Sequence, residues 1–101
     1  MSSSEIAEKE RLAENVLGSK ARVKILKALA LNDELTISLL INKTRLNHAI
    51  TMKHLKILES LDLITEKKFG RIRIYKYNFE NLKARSLKKF IDIWEDNTEL
   101  K

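Results

Sequence analysis

The sequence predicts a mainly α-helical domain with one small β-hairpin, an α+β fold. Apolar residues recur every three or four positions through most of the 101 residues, which is the period of helices with one buried face. Residues 67–77, KKFGRIRIYKY, differ, because residue types alternate there around Gly70 as in two strands joined by a tight turn. A chain of this length folds as one domain with a modest core.

Two helices are predicted in the first third of the chain. Residues 5–17 place apolar side chains roughly along one face, and Gly18 can end this short amphipathic helix. Ser19 suits the N-cap of the next helix, because its hydroxyl can accept a hydrogen bond from an N–H of the first turn. Residues 20–31 carry a broad apolar stripe and form a core helix, and residues 32–34 form a turn after it.

Two further helices follow, separated by a short polar segment. Thr36 suits the N-cap of a helix over residues 37–42, residues 43–46 are a polar break, and Asn47 caps a third helix over residues 48–61. The core face of the third helix is drawn through Thr51, Leu55, Leu58 and Leu61. Its outer face then collects His48, Ala49, Met52, Lys53 and Lys56. Two helices joined in this way, the second longer and basic outside, have the layout of a helix-turn-helix.

The alternating stretch predicts a β-hairpin, with strands at residues 63–67 and 72–77 and a turn that contains Gly70. The returning strand has arginines and tyrosines on one face and isoleucines with a lysine on the other. Pattern alone leaves open which face meets the core. We favour Tyr75 and Tyr77 pointing inward, with the arginines of that face lying beyond the core edge, at the tip.

A last helix is predicted over residues 80–97. Its apolar residues recur at intervals of three and four and include the only tryptophan of the chain, Trp94. The preceding elements have by then closed a core, so this helix needs another surface to bury its apolar face. A second subunit is one such surface, and the alternative is that the helix packs back on its own domain.

The charge of the chain is unevenly distributed. Residues 20–89 contain seventeen basic and six acidic residues, whereas residues 1–19 and 90–101 are each acidic in balance. An excess of eleven positive charges over one segment predicts a polyanionic partner, nucleic acid before a membrane surface. The chain has no cysteine and no apolar stretch long enough for a membrane span, so we expect a cytoplasmic, nucleoid-associated protein without disulfides.

The order of these elements resembles the ArsR-like winged helix-turn-helix transcriptional regulators. The similarity covers roughly residues 16–78 and is densest in Ala21-Arg22-Val23-Lys24-Ile25-Leu26, in His54-Leu55-Lys56-Ile57-Leu58, and in Gly70-Arg71 leading into Ile74-Tyr75-Lys76-Tyr77. The resemblance implies a homodimer joined by its first and last helices. On this basis we divide the chain into three segments: an N-terminal interface helix in residues 1–19, a DNA-binding domain over residues 20–78, and a C-terminal dimerisation helix in residues 79–101.

The resemblance also implies where DNA and the partner subunit bind, with the third helix in the major groove and the hairpin, or wing, on the minor groove or the backbone. The expected base-reading residues are His48, Ala49, Met52 and Lys53. The expected backbone contacts are Thr36, Ser38, Thr44, Arg45, Asn47 and Lys56, and those of the wing are Lys67, Lys68, Arg71 and Arg73. The expected dimer interface comprises Ile6, Val16, Leu17, Leu87, Phe90, Ile91 and Trp94.

Other functions are less well supported by the residues. The cysteine ligands that part of the family uses to sense metals are absent, so we expect no metal and no cofactor. The sequence has no nucleophile with a base, no glycine-rich phosphate loop and no acidic pair in an apolar setting, so an enzyme is not expected. Two alternatives stay open: an architectural DNA-binding protein of low specificity, which the apolar Ala49 and Met52 would suit, and a winged-helix module that binds protein.

Overall fold

The computed structural model of the protein describes residues 12–96. In this part of the chain five helices and three strands follow one another. They are α1 (Leu12–Leu17), α2 (Lys20–Asn32), β1 (Glu34–Thr36), α3 (Ile37–Thr44), α4 (His48–Ser60), β2 (Ile64–Phe69), β3 (Ile72–Tyr77) and α5 (Leu82–Trp94). The predicted α+β class and the winged helix-turn-helix arrangement are both confirmed.

Polar side chains fix where four of the helices begin. The side-chain oxygens of Ser19, Thr36, Asn47 and Asn81 each accept a hydrogen bond from the backbone N–H three residues later, at 2.8 to 3.3 Å. These bonds satisfy N–H groups that have no partner inside the helix. The first three caps are the predicted ones, which explains why the predicted starts of α2, α3 and α4 are correct.

The sheet contains a strand that the sequence did not predict. Glu34–Thr36, expected to be the end of a turn and a helix cap, forms β1 and pairs antiparallel with β3, so that the strand order is β1-β3-β2. The Tyr77 N–H also donates to the Asp33 carbonyl oxygen at 2.9 Å. A three-residue strand is too short to show alternation in the sequence, and it forms here because β3 offers an unpaired edge.

One hydrophobic core lies between α2, α3, α4 and the sheet. Its fully buried side chains come from every one of these elements: Ile25, Leu26, Leu29, Leu40, Leu55, Leu58, Ile64 and Tyr77. Tyr75 is buried as well, so the prediction that the tyrosine face of the hairpin points inward is confirmed. The Tyr77 hydroxyl donates to the Ala84 carbonyl oxygen at 2.6 Å, which ties the hairpin to α5 and satisfies a buried polar group.

The terminal helices contribute to this core, which corrects part of the predicted dimer interface. Val16 of α1 and Ile91 of α5 are 6% and 5% exposed within the single chain, so they serve the core of their own domain. Three other residues of the predicted interface are much less covered, with Leu17 and Phe90 about half exposed and Trp94 73% exposed. Ile6 lies outside the described residues. Within residues 12–96, no helix has both the length and the apolar character needed to cross a membrane.

Candidate DNA-binding surface

The connection between α3 and α4 is a tight turn. Arg45 follows α3 with a φ of 62°, in the left-handed region, and its N–H donates to the Ile41 carbonyl oxygen at 2.9 Å. This bond ends α3, and two residues later the Asn47 side chain starts α4. The turn therefore sets the angle between the two helices, with a backbone hydrogen bond at its first end and a side-chain cap at its second.

The outer face of α4 is exposed and basic. His48, Ala49, Lys53 and Lys56 are all exposed, as the spacing predicted. Met52 is partly buried because its side chain packs against the core, so less of it is available to a partner than expected. Ile50 is 39% exposed in the first turn of α4, a position that the sequence reasoning did not include. The face thus combines two lysines with short or apolar side chains.

One candidate backbone contact, Thr44, is unsuitable. Thr44 is 3% exposed, and its hydroxyl donates to the Leu40 carbonyl oxygen at 2.8 Å, so the side chain is engaged inside α3. The predicted polar break included Thr44, whereas α3 runs through it and buries it against the core. Ser38 and Arg45 are exposed, and Thr36 is half-buried with its hydroxyl used as a helix cap.

The wing ends in a two-residue turn, Gly70-Arg71, between β2 and β3. Gly70 has a φ of 60°, a conformation that glycine adopts without steric cost. Two of the four predicted wing cations are paired with carboxylates: Lys67 Nζ lies 3.4 Å from Glu34 Oε1, and Arg73 Nε lies 3.6 Å from Glu66 Oε2. Within the described residues, Lys68 and Arg71 form no ion pair. These two cations at the tip are the ones most available to a phosphate.

Glu66 lies on the core-facing side of the wing and contacts two residues of β3. In addition to its ion pair with Arg73, its carboxylate accepts a hydrogen bond from the Tyr75 hydroxyl at 3.1 Å. Burial, followed by this hydrogen bond to Glu66, raises the pKa of Tyr75. Arg73 is therefore partly neutralised and held on the strand, whereas Arg71 extends from the turn.

A small polar network fixes α4 against the first two helices. Arg22 of α2 donates from Nε to His54 Nδ1 at 3.1 Å, and from an Nη to the backbone and side-chain oxygens of Asn15 at 2.7 and 2.8 Å. Burial lowers the pKa of His54, and the positive charges of Arg22 and Lys53 lower it further. Because Nδ1 accepts from a guanidinium, the imidazole is neutral and carries its proton on Nε2. Arg22 therefore has a structural role that connects α1, α2 and α4.

Comparison with known proteins agrees with this geometry. The family described as "Bacterial regulatory protein, arsR family" matches residues 19–66, which run from the cap of α2 into β2. The chain is an ArsR-like winged helix-turn-helix regulator. It is therefore a DNA-binding protein of transcription regulation, and the prediction that it is not an enzyme is confirmed by the family. None of the curated proteins matches the sequence.

Several solved structures have the same fold. HlyU from Vibrio cholerae N16961 is 18% identical with a TM-score of 0.73, and the alignment covers 92% of this chain and 97% of HlyU. NolR from Sinorhizobium fredii is 19% identical with a TM-score of 0.70 and 93% coverage of both chains. The transcriptional repressor BigR from Xylella fastidiosa is 13% identical with a TM-score of 0.69, over 93% of this chain and 96% of BigR. At these identities the likeness establishes the fold.

Proposed function

We propose that this regulator acts as a homodimer that binds specific double-stranded DNA sequences, with α4 in the major groove and the wing on the adjacent minor groove or its phosphates. The observation that carries the proposal is the exposed, basic outer face of α4, which follows a turn that fixes its angle. A major groove about 12 Å wide accepts one such helix.

Residues in the N-terminal half of α4 have the best access to base edges. His48, Ala49 and Lys53 project from the first two turns and are exposed, and Met52 and Ile50 add partly exposed apolar surface beside them. A lysine can donate to guanine acceptors, and small apolar groups suit thymine methyls. We expect phosphate contacts around this helix from exposed polar and basic side chains, namely Lys56, Ser38, Arg45 and the amide of Asn47, together with Lys68 and Arg71 of the wing.

The apolar surface of the terminal helices supports dimerisation. Phe90 and Trp94 lie one turn apart on α5 with ring centroids 5.1 Å apart, and both remain exposed in the single chain. Beside them, a groove of about 590 Å³ between α1 and α5 is lined largely by apolar side chains, including Leu17 and Leu87. Exposed apolar patches of this kind mark association surfaces. In a symmetric dimer two α4 helices would meet successive major grooves about 34 Å apart.

Substitution of single cations tests the DNA-binding surface. We expect Lys53→Ala to cost about 1–3 kcal/mol at one base pair and to relax specificity there, because a base-reading contact is lost. We expect Arg71→Ala to weaken binding to all sequences alike and to reduce the slope of log K against log salt by about 1. Lys27→Ala is the matched control, since Lys27 lies on α2, outside α4 and the wing, and pairs at 3.2 Å with Glu95, the residue that follows α5.

Binding should be measured by fluorescence anisotropy on the site selected from a random DNA pool and on unrelated DNA, at several salt concentrations. If both variants bind like the Lys27→Ala protein, the assignment of these surfaces is wrong. If the pool yields no preferred motif while binding stays salt-dependent, the protein is the architectural alternative, which the apolar part of the α4 face would then explain.

Sedimentation equilibrium tests the dimer. Trp94→Glu places a charge in the proposed interface and should convert a dimer of the 11.8 kDa chain into monomers at the same protein concentration. Ile72→Glu is the control, because Ile72 is a comparably exposed apolar residue on the wing, 55% accessible, and its substitution should leave the mass unchanged. An unaltered dimer mass in the Trp94→Glu protein would show that α5 does not form the interface.

A further inference from the structure

The tip of the wing carries an apolar surface that the cationic contacts described above do not use. Phe69 and Ile72 face each other across the turn and are 68% and 55% exposed. Alternation along the strands places Ile74 on the same face as these two residues, opposite to the face of Tyr75 and Tyr77 that packs on the core. The wing is therefore two-sided, and its outer side has an apolar end.

This apolar end has no partner within the described part of the chain. The third strand, β1, pairs only with Ile74, Tyr75 and Lys76, so the ribbon beyond Ile74 is two-stranded and both of its faces are open. A hairpin tip that contacts only water is expected to carry polar residues, because an exposed phenylalanine or isoleucine does not stabilise the fold.

The charges around this end fit DNA better than a protein surface. Residues 67–73 include four cations and no carboxylate. Lys67 and Arg73 pair with Glu34 and Glu66 from outside this stretch, which leaves Lys68 and Arg71 as the unpaired cations of the tip among the described residues. An apolar centre with cationic edges matches the minor groove, whose walls are deoxyribose and whose rims are phosphates. Lysine, in contrast, is depleted where proteins bind proteins.

We propose that Phe69 is an apolar wedge that enters the minor groove of bound DNA and partly unstacks one base step, with Ile72 packing on the sugar wall beside it. The groove is about 6 Å wide, so side chains and not the ribbon itself enter. Lys68 and Arg71 hold the flanking phosphates while the ring is inserted. The bound duplex is consequently bent, and the preferred step is a flexible pyrimidine–purine step. This inference rests on the proposed function, because it requires DNA binding through the same domain.

The test compares DNA bending by the full-length wild-type, Phe69→Ala, Phe69→Leu and Arg71→Ala proteins. Bending is read from energy transfer between dyes at the two ends of a selected site, and unstacking from 2-aminopurine fluorescence at the step under the wing. We expect Phe69→Ala to lower affinity about 5- to 30-fold, roughly what burial of two-thirds of a phenylalanine side chain contributes, with the bend reduced and the salt slope unchanged. Leucine is itself a wedge residue, so Phe69→Leu should keep most of the bend.

The Arg71→Ala protein should show the opposite pattern, a smaller salt slope with the bend retained. Replacing the contacted step by a stiff A-tract should weaken wild-type binding and leave that of Phe69→Ala unchanged. Because Phe69 is exposed, the melting temperature should not change, which separates these effects from misfolding. A straight wild-type complex, or a Phe69→Ala complex with wild-type affinity and bend, overturns the wedge and leaves the apolar end for a protein partner. Failure of the wild-type protein to bind DNA would instead overturn the proposed function.

Discussion

The contact between Arg22 and His54 makes the stability of the fold depend on pH. His54 accepts a hydrogen bond at Nδ1 from Arg22, and its pKa is lowered by burial and then by the charges of Arg22 and Lys53. In the unfolded chain the histidine returns to the ordinary value of 6.5. The unfolded state therefore binds a proton more readily, and the stability from this contact is present above that value and is lost as the pH falls toward the lowered pKa.

The size of the effect is bounded by the chemistry of one proton. Where the unfolded chain binds one proton more than the folded chain, the free energy of unfolding falls by at most about 1.4 kcal/mol for each unit by which the pH is lowered. Protonation also removes the acceptor for Arg22, whose remaining bonds to Asn15 then hold α1 and α2 without α4. Acid should thus loosen α4 in particular.

Urea unfolding followed by circular dichroism, from about pH 7.5 to about pH 5 at one protein concentration, measures this term. In His54→Asn, the amide oxygen can replace Nδ1 as the acceptor for Arg22 but takes up no proton, so this variant should lose less stability than wild type on acidification. His48→Asn is the matched control on an exposed residue of the same helix, and it should behave like wild type. Parallel curves for wild type and His54→Asn across this range would refute the reasoning.

Two further predictions concern the hairpin, and both are read from the free energy of unfolding. Tyr77→Phe should cost about 1 kcal/mol, because it removes the 2.6 Å hydrogen bond that a buried hydroxyl donates to the Ala84 carbonyl oxygen. Tyr75→Phe should cost less, because the Tyr75 hydroxyl is only partly buried; equal costs would contradict the role given to burial. Gly70→Ala should cost about 1–2 kcal/mol, because alanine resists the φ of 60° and the added methyl group has no atom within 4 Å beyond the adjacent residues to supply another cause. Gly70→Asn should cost less, and an alanine variant as stable as wild type would show that the turn adopts another conformation.

Much of the fold follows from local signals in the sequence. Ser19, Thr36 and Asn47 mark the starts of three helices because a cap needs only its own turn, and the α4 core face follows from helical spacing alone. The hairpin follows from the alternation around Gly70. Phe69 was within reach of the same reasoning, because strands joined by a two-residue turn at Gly70-Arg71 necessarily place it opposite Ile72.

What the sequence by itself determined is the five helices, the hairpin, the family and the concentration of positive charge on one segment, since each depends on residues close together in the chain. The tertiary structure alone decided which of those residues meet. It placed β1 against β3, paired Lys67 and Arg73 with Glu34 and Glu66, and left the cations of the wing tip available. It also buried Val16, Thr44 and Ile91, which sequence reasoning had assigned to partners. Burial and ion pairing depend on the positions of several elements at once, and no local pattern records them.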